Sequence, residues 1–198
     1  DEALRLASAA LLYACDEYPD IKLSHYIGLL DTCIHRLARS NVRAPDDQIE
    51  ALRGEIVDHL GLAGNRDDYQ NPENSYLNRV LDRRTGIPVA LSAVWLDVAG
   101  CLGWPFVGIN MPGHFLLAVS VPGRELYVDP FHDGECLNLD AVRRRAYHMF
   151  GPGFELKPSH LAPVGTKQIL FRMLGNLRSC YVAAQDWHRA ARILQRMH

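Results

Sequence analysis

The sequence predicts an α+β fold, and three observations carry that prediction. The first third of the chain repeats apolar residues at helical spacing. A nearly all-apolar run of helix length, "IPVALSAVWLDVAGCLG" (87–103), stands in the middle. Three short strand-like runs separated by Gly/Pro turns follow it: "PFVGIN", "HFLLAVSV" and "RELYVDPF". Helices first, then a helix beside consecutive antiparallel strands, is the pattern of an α+β domain.

Taken in order, "EALRLASAALLYACDEY" (2–18) reads as a helix stopped by Pro19, and "LSHYIGLLDTCIHRLARS" (23–40) as a second, capped by Asp20 or Ser24. A third helix, "DDQIEALRGEIVDHLG" (46–61), follows Pro45, carries acids in its first turn and ends at Gly61. The stretch up to about Asn74 is polar and turn-rich, with a short helix expected from Glu73 to Arg83. In the apolar run, Pro88 suits a helix's first turn and Gly103 its stop. A helix with so little polar surface should be central and packed on several sides. After the strands, "LDAVRRRAYHMF" (139–150) returns to helix, and a Gly/Pro-rich segment (151–165) leads to two more.

With 198 residues, the chain suffices for one sizeable core, or a domain plus a small appendage. Its composition, 48% apolar and 22% charged, is that of an ordinary globular protein. A net charge of −2 argues against broad nucleic-acid binding, which needs a strong basic excess. The most basic stretch, "AVRRRAYH" (141–148), reads as a solvated helix face. No apolar run approaches the ~18 residues of a membrane span, and no secretory signal is read at the start. The five cysteines (Cys15, Cys33, Cys101, Cys136 and Cys180) form no CxxC pair. They are expected to be buried thiols of a cytoplasmic protein rather than a disulfide framework.

The chemistry-bearing feature is a His–Asp couple. Along the strand 114–121, His114, Leu116, Ala118 and Ser120 share one face. If Pro122-Gly123 centres a two- or four-residue turn, Val121 lies opposite Arg124 and Leu116 opposite Asp129. Asp129 is then a diagonal neighbour of His114, roughly 7–8 Å away between backbones. A three-residue loop or a bulge would instead turn Asp129 to the other face. Such a carboxylate holds an imidazole in one tautomer and favours its protonated form. The plainer reading is a loop-mouth histidine and a turn-starting aspartate, each satisfied locally.

The motifs NPENSYLN, RRTGIP, PGHFLL and VDPF resemble those of the SirB-type family, a branch of the transglutaminase-like superfamily, and the likeness runs from the first helices to His198. The resemblance implies a transglutaminase- or papain-like core over residues 1–160, with a helical N-terminal part to about residue 64. In that core the central helix carries a cysteine nucleophile at its start and packs against strands bearing His and Asp. Active superfamily members open this helix with a G-x-C pattern. The corresponding run here is Gly86-Ile87-Pro88, so Pro88 stands where the cysteine would be, while His114 and Asp129 match the other two members. Proline has neither a nucleophilic atom nor a backbone N–H for an oxyanion hole.

Substitutes are few. Ser92 lies one turn beyond Pro88 on the same helix face and is the one candidate replacement nucleophile, although a small residue there also suits close helix–sheet packing. Cys101 and Cys33 cannot be placed beside His114 from the sequence. His132, Asp133, Glu135 and Cys136 form a polar cluster whose spacing fits no standard ligand pattern, and no metal or cofactor is expected. Residues 161–198 read as a tetratricopeptide-like helix pair, in which the stretch 177–198 fits the second half of a repeat through Tyr181, Asp186-Trp187, Ala190 and Leu194. The repeat is incomplete at His198, so truncation or a disordered continuation is expected. The reading favoured is a pseudoenzyme that binds a protein or peptide partner through the old cleft and the repeat surface. The alternatives are a hydrolase or amide-bond enzyme using His114 and Asp129 with Ser92 or an activated water, and a purely structural cleft.

Overall fold

The computed structural model describes residues 4–197; Glu2 and Ala3, where the first helical run begins, and His198 lie outside the described residues. Helices α1 (Leu6–Ala14), α2 (Leu23–Arg39) and α3 (Pro45–Arg53) precede a π-helical turn at Gly54–His59. A two-residue strand β1 (Ala63–Gly64), a 3-10 turn (Pro72–Asn74), α4 (Leu77–Arg83) and β2 (Thr85–Gly86) lead into α5 (Pro88–Cys101). The sheet strands are β3 (Phe106–Ile109), β4 (Leu116–Val121), β5 (Arg124–Asp129), β6 (Glu135–Leu137) and β7 (Pro163–Val164). Helix α6 (Leu139–Phe150) follows β6, and α7 (Thr166–Ala183) and α8 (Trp187–Arg196) end the chain.

The three expected strands form the middle of a five-stranded antiparallel sheet of order β6-β5-β4-β3-β7. The two added strands are too short to show as period-two runs. Neither cap foreseen for α2 is used: Lys22 is its N-cap, and no side chain bonds to it there. The third helix breaks into its π turn at Gly54, where the lack of a Cβ weakens helical preference.

Helix α5 is central as its composition requires. Eleven of its residues, from Pro88 to Ala99, are buried between the helical layer and the sheet. Its one internal charge, Asp97, is satisfied by Arg5 at 2.7 Å and by the Ala7 amide at 2.9 Å, which ties α1 to the central helix. The helices α7 and α8 share the same core. Met173, Leu177 and Ile193 join α1 and α5 in one apolar cluster, and the Tyr76 and Tyr181 hydroxyls meet at 3.0 Å. Arg192 and Arg196 clamp Glu17 and Asp16 at the end of α1.

The β4–β5 register places Val121 opposite Arg124, so the turn holds two residues, with Gly123 at φ +78° as such a turn demands. Beyond β5, Gly134 has φ +72°, and a Cβ there would lie 2.8 Å from the Trp95 ring of α5. Both constraints exclude a side chain, since the chain turns back into β6 against the central helix. Gly134→Ala is therefore expected to lower stability by roughly 1–3 kcal/mol. Gly153→Ala, with open space over the Cα, should change it little; urea denaturation of the two variants measures the difference.

Candidate functional site

Asp129 ends β5 and caps the 3-10 turn Pro130–His132, its Oδ1 accepting from the amides of Phe131 at 3.0 Å and His132 at 3.3 Å. A carboxylate cap fits this position because it satisfies two amides that the turn leaves free. The residue is wholly inaccessible to solvent. Its Oδ2 carries three more contacts: Nε2 of His114 at 2.7 Å, Nδ1 of His132 at 2.8 Å, and Nη1 of Arg145 from α6. The second arm of Arg145 reaches Glu135 Oε2 at 2.6 Å.

His114 begins the approach to β4 after the Pro112-Gly113 turn, its amide donating to Met111 O at 3.1 Å. Its ring is almost buried, with the edge of Phe131 6.1 Å away and His132 5.7 Å away between centroids. With Nε2 committed to Asp129, the other ring nitrogen has no hydrogen-bond partner among the described residues. The ring borders a crevice shared with Pro88, Tyr69, Arg172 and Asn176, too narrow to hold a water molecule.

Burial alone would push the Asp129 carboxyl upward. The hydrogen bonds and charges of His114 and His132 outweigh it and hold the group below the usual carboxylate range. The carboxylate is thus a fixed charge at neutral pH, compensated by Arg145 as well as by the imidazoles.

The structure brings His114 and Asp129 together and leaves Ser92 apart. Ser92 is fully buried in α5, and its hydroxyl has no hydrogen-bond partner among the described residues. The cysteines stand elsewhere. Only Cys33 is fully buried, whereas Cys101 and Cys136 are exposed, correcting the expectation of buried thiols. Cys101 is the last residue of α5, and Cys136 lies on the edge strand β6, where apolar sequence context does not guarantee cover. Burial pushes the Cys33 thiol up to about 12, aided by Glu55, and raises Cys101, Cys136 and Cys180 as well. None of these four has the depressed pKa of an activated thiol.

Two residues of the site were misread in the sequence. Arg145 belongs to the stretch taken as a solvated face, and Arg143 and Arg144 do point outward. Val142 and Ala146 mark the buried face of α6, however, and Arg145, three residues after Val142, shares it. The sequence groups His132 only with Asp133, Glu135 and Cys136. That cluster does not converge: His132 bonds Asp129, Glu135 bonds Arg145, and Asp133 lies 3.9 Å from Arg66.

The group whose ligand atoms do converge, within 4.8 Å, is His114, Asp129 and His132. Its donor set does not favour a metal ion. The guanidinium of Arg145 already sits against the same carboxylate oxygen and 3.4 Å from His132 Nδ1, and hydrogen bonds span the remaining contacts.

The polar segment before α5 braces the site. The buried Asn74 amide donates to Asp68 O at 2.7 Å, and its Oδ1 accepts from Asn65 at 2.9 Å and Arg83 at 3.2 Å. Tyr69 from this loop faces Phe131 edge-on at 5.9 Å and reaches the crevice.

Comparison with known proteins places this geometry in a family. The family model described as Transglutaminase-like superfamily matches residues 24–175, from α2 into the middle of α7. A UPF0162 protein of Xylella fastidiosa is 39% identical over 203 aligned residues, covering 100% of this chain and 72% of that protein. A UPF0162 protein of Vibrio cholerae is 32% identical over 79% of this chain and 58% of its own length. Human F-box only protein 21 is 34% identical over 66% of this chain, which is 21% of that protein. No solved structure matches.

Two measurements probe the site's energetics. Asp129→Ala leaves two imidazoles and a guanidinium around a hole and is expected to cost roughly 3–5 kcal/mol at pH 7. The native carboxyl titrates below its unfolded value of about 3.9, so its contribution is present above about pH 4 and is lost as pH falls towards the native pKa. The gap between parent and variant in denaturant titrations should therefore hold from pH 7 to 5 and narrow in acid. Ser92→Ala removes an unpaired buried hydroxyl and should be neutral to within about 1 kcal/mol, or stabilising.

Proposed function

The chain belongs to the transglutaminase-like superfamily, and from that premise we propose that it is a non-catalytic member, a regulatory or scaffold protein that binds a protein or peptide partner beside His114. The observation that carries this reading is Pro88. It is the first residue of α5 and borders the same crevice as His114, in the place from which a nucleophile would approach the imidazole. Nucleophile, base and orienter act as a unit; in a serine protease, loss of the nucleophile alone costs on the order of 10⁶ in turnover. Here base and orienter remain without a thiol or hydroxyl in hydrogen-bond contact with the ring among the described residues. Arg145 supports the same reading, since an aspartate already neutralised by a guanidinium has less to give a developing imidazolium.

The SirB-type affiliation is part of this proposal, as is the reading of α7 and α8 as a tetratricopeptide unit. Gln185 at φ +57° turns the chain between them, and Asp186 caps α8 through the Arg189 amide at 3.0 Å. Trp187, 62% exposed, is left as contact surface beside that turn. Five unpaired thiols fit a reducing compartment such as the cytoplasm.

The second reading, hydrolysis or amide-bond chemistry through His114, rests on the retained 2.7 Å contact with Asp129. It needs an activated water, or movement of Ser92 out of the core.

An activity-based probe for cysteine hydrolases should leave the protein unlabelled at pH 7. Stoichiometric labelling abolished by His114→Ala would refute the non-catalytic reading. Pro88→Cys supplies the converse test. The introduced thiol would sit at a helix N-terminus beside an imidazole, an environment that lowers thiol pKa. Iodoacetamide should modify it faster than a thiol introduced at Gly153, and His114→Ala in the same background should slow it. Equal rates with and without the imidazole would remove Pro88 from the nucleophile position.

A further inference from the structure

From the surface of α7, we propose that the groove beside the His114 crevice binds an acidic peptide segment. The proposal rests on the reading of the His114 face as a binding surface and names the chemistry of what it takes. Lys167, Phe171, Gly175 and Arg178 recur at helical spacing along one side of α7 and line a groove of about 620 Å³. Arg172, one position after Phe171, lines both this groove and the crevice of His114 and Pro88, so the two lie side by side.

Two properties define the occupant. First, the groove is basic: Lys167, Arg172 and Arg178 form no ion pair with the described residues, and no acidic side chain lines the groove. Lys167 and Arg178 share one side of α7, and Arg172 stands round the helix towards the crevice. The chain's net charge is −2, and most other arginines are held by carboxylates, as Arg79, Arg145, Arg189 and Arg192 are. Second, the groove has an apolar floor. Phe171 is half-exposed between the cations, Met197 closes the far side, and nothing lies within 4 Å of where a Cβ on Gly175 would be, leaving backbone-level space for a ligand side chain.

From Lys167 to Arg178 the helix advances about 17 Å, the reach of about five extended residues. Carboxylates spaced along such a segment would pair with the cations while an apolar side chain covers Phe171. Asn176, four residues after Arg172 on the crevice side, would face the segment's end nearest His114.

The test is selection from a random peptide display library on the intact chain, followed by fluorescence anisotropy with a labelled copy of a selected peptide. The expected winners are rich in Asp and Glu around an aromatic or aliphatic residue. Arg172→Glu combined with Arg178→Glu should weaken binding at least about tenfold, and added salt should weaken the parent's binding. These positions are not in the core, and an unchanged circular dichroism spectrum would confirm folding of the variant. Basic or uncharged winners, no winners, or undiminished affinity in the double variant would overturn the proposal. So would an oligonucleotide that displaces the peptide and binds more tightly, or self-association abolished by the same two substitutions, which would assign the face to a second copy. An inert hydrolase probe with no acidic peptide selected would sink this inference alone. A labelled protein that still selects acidic peptides would sink only the non-catalytic reading.

Discussion

The buried carboxylate of Asp129 is the constraint on which this half of the molecule is organised. Five donors from three parts of the chain converge on its two oxygens: His114 before β4, the amides of Phe131 and His132 with the His132 ring, and Arg145 of α6. An unpaired carboxylate at zero exposure would be prohibitive, and these donors together satisfy it where the hairpin closes on α5. This couples features that look independent. Gly134 permits the return into β6, β6 carries Glu135, and Glu135 with Asp129 holds the fork of Arg145, which pins α6 to the end of the sheet.

That coupling bears on why a His–Asp pair persists next to a proline. If the pair existed only to serve a nucleophile, losing the thiol would leave both residues free to change. In this chain Asp129 also caps a turn and anchors α6, and His114 is one of its neutralising donors, so each has a folding role independent of any chemistry. A retained pair is therefore weaker support for retained catalysis than geometry alone implies. Asp129 makes the local turn bonds of the plainer sequence reading and also the contact with His114.

Much of the fold was legible because its signals are periodic. The apolar run 87–103 identified the central helix, while the register was legible only as one of two alternatives; the two-residue loop at Pro122-Gly123 decides which residues share a face. What escaped the sequence depends on long-range pairing. Asp97 lies within an apolar helix and is explained only by Arg5, distant in sequence. β6 and β7 are too short for periodicity and exist because the edges of β5 and β3 offer unpaired backbone. Arg145 was hidden in a run of three arginines whose composition indicates solvent; only the phase of Val142 and Ala146 separates it from its neighbours.

The helix α7 occupies the position where folding and binding demands meet. Its inner face, with Met173, Leu177 and Tyr181, is spent on the core it shares with α1 and α4. Its outer face keeps charge without partners, although a chain of this composition has acids enough to neutralise it, as Glu17 and Asp16 do for α8 at the other end of α1. Compensated arginines mark where the protein has closed upon itself. Lys167, Arg172 and Arg178 border a groove without such partners among the described residues, and Arg172 also borders the His114 crevice. A binding function proposed for this site would work through its walls, which carry Arg172 on one side and a histidine held by Asp129 at the end.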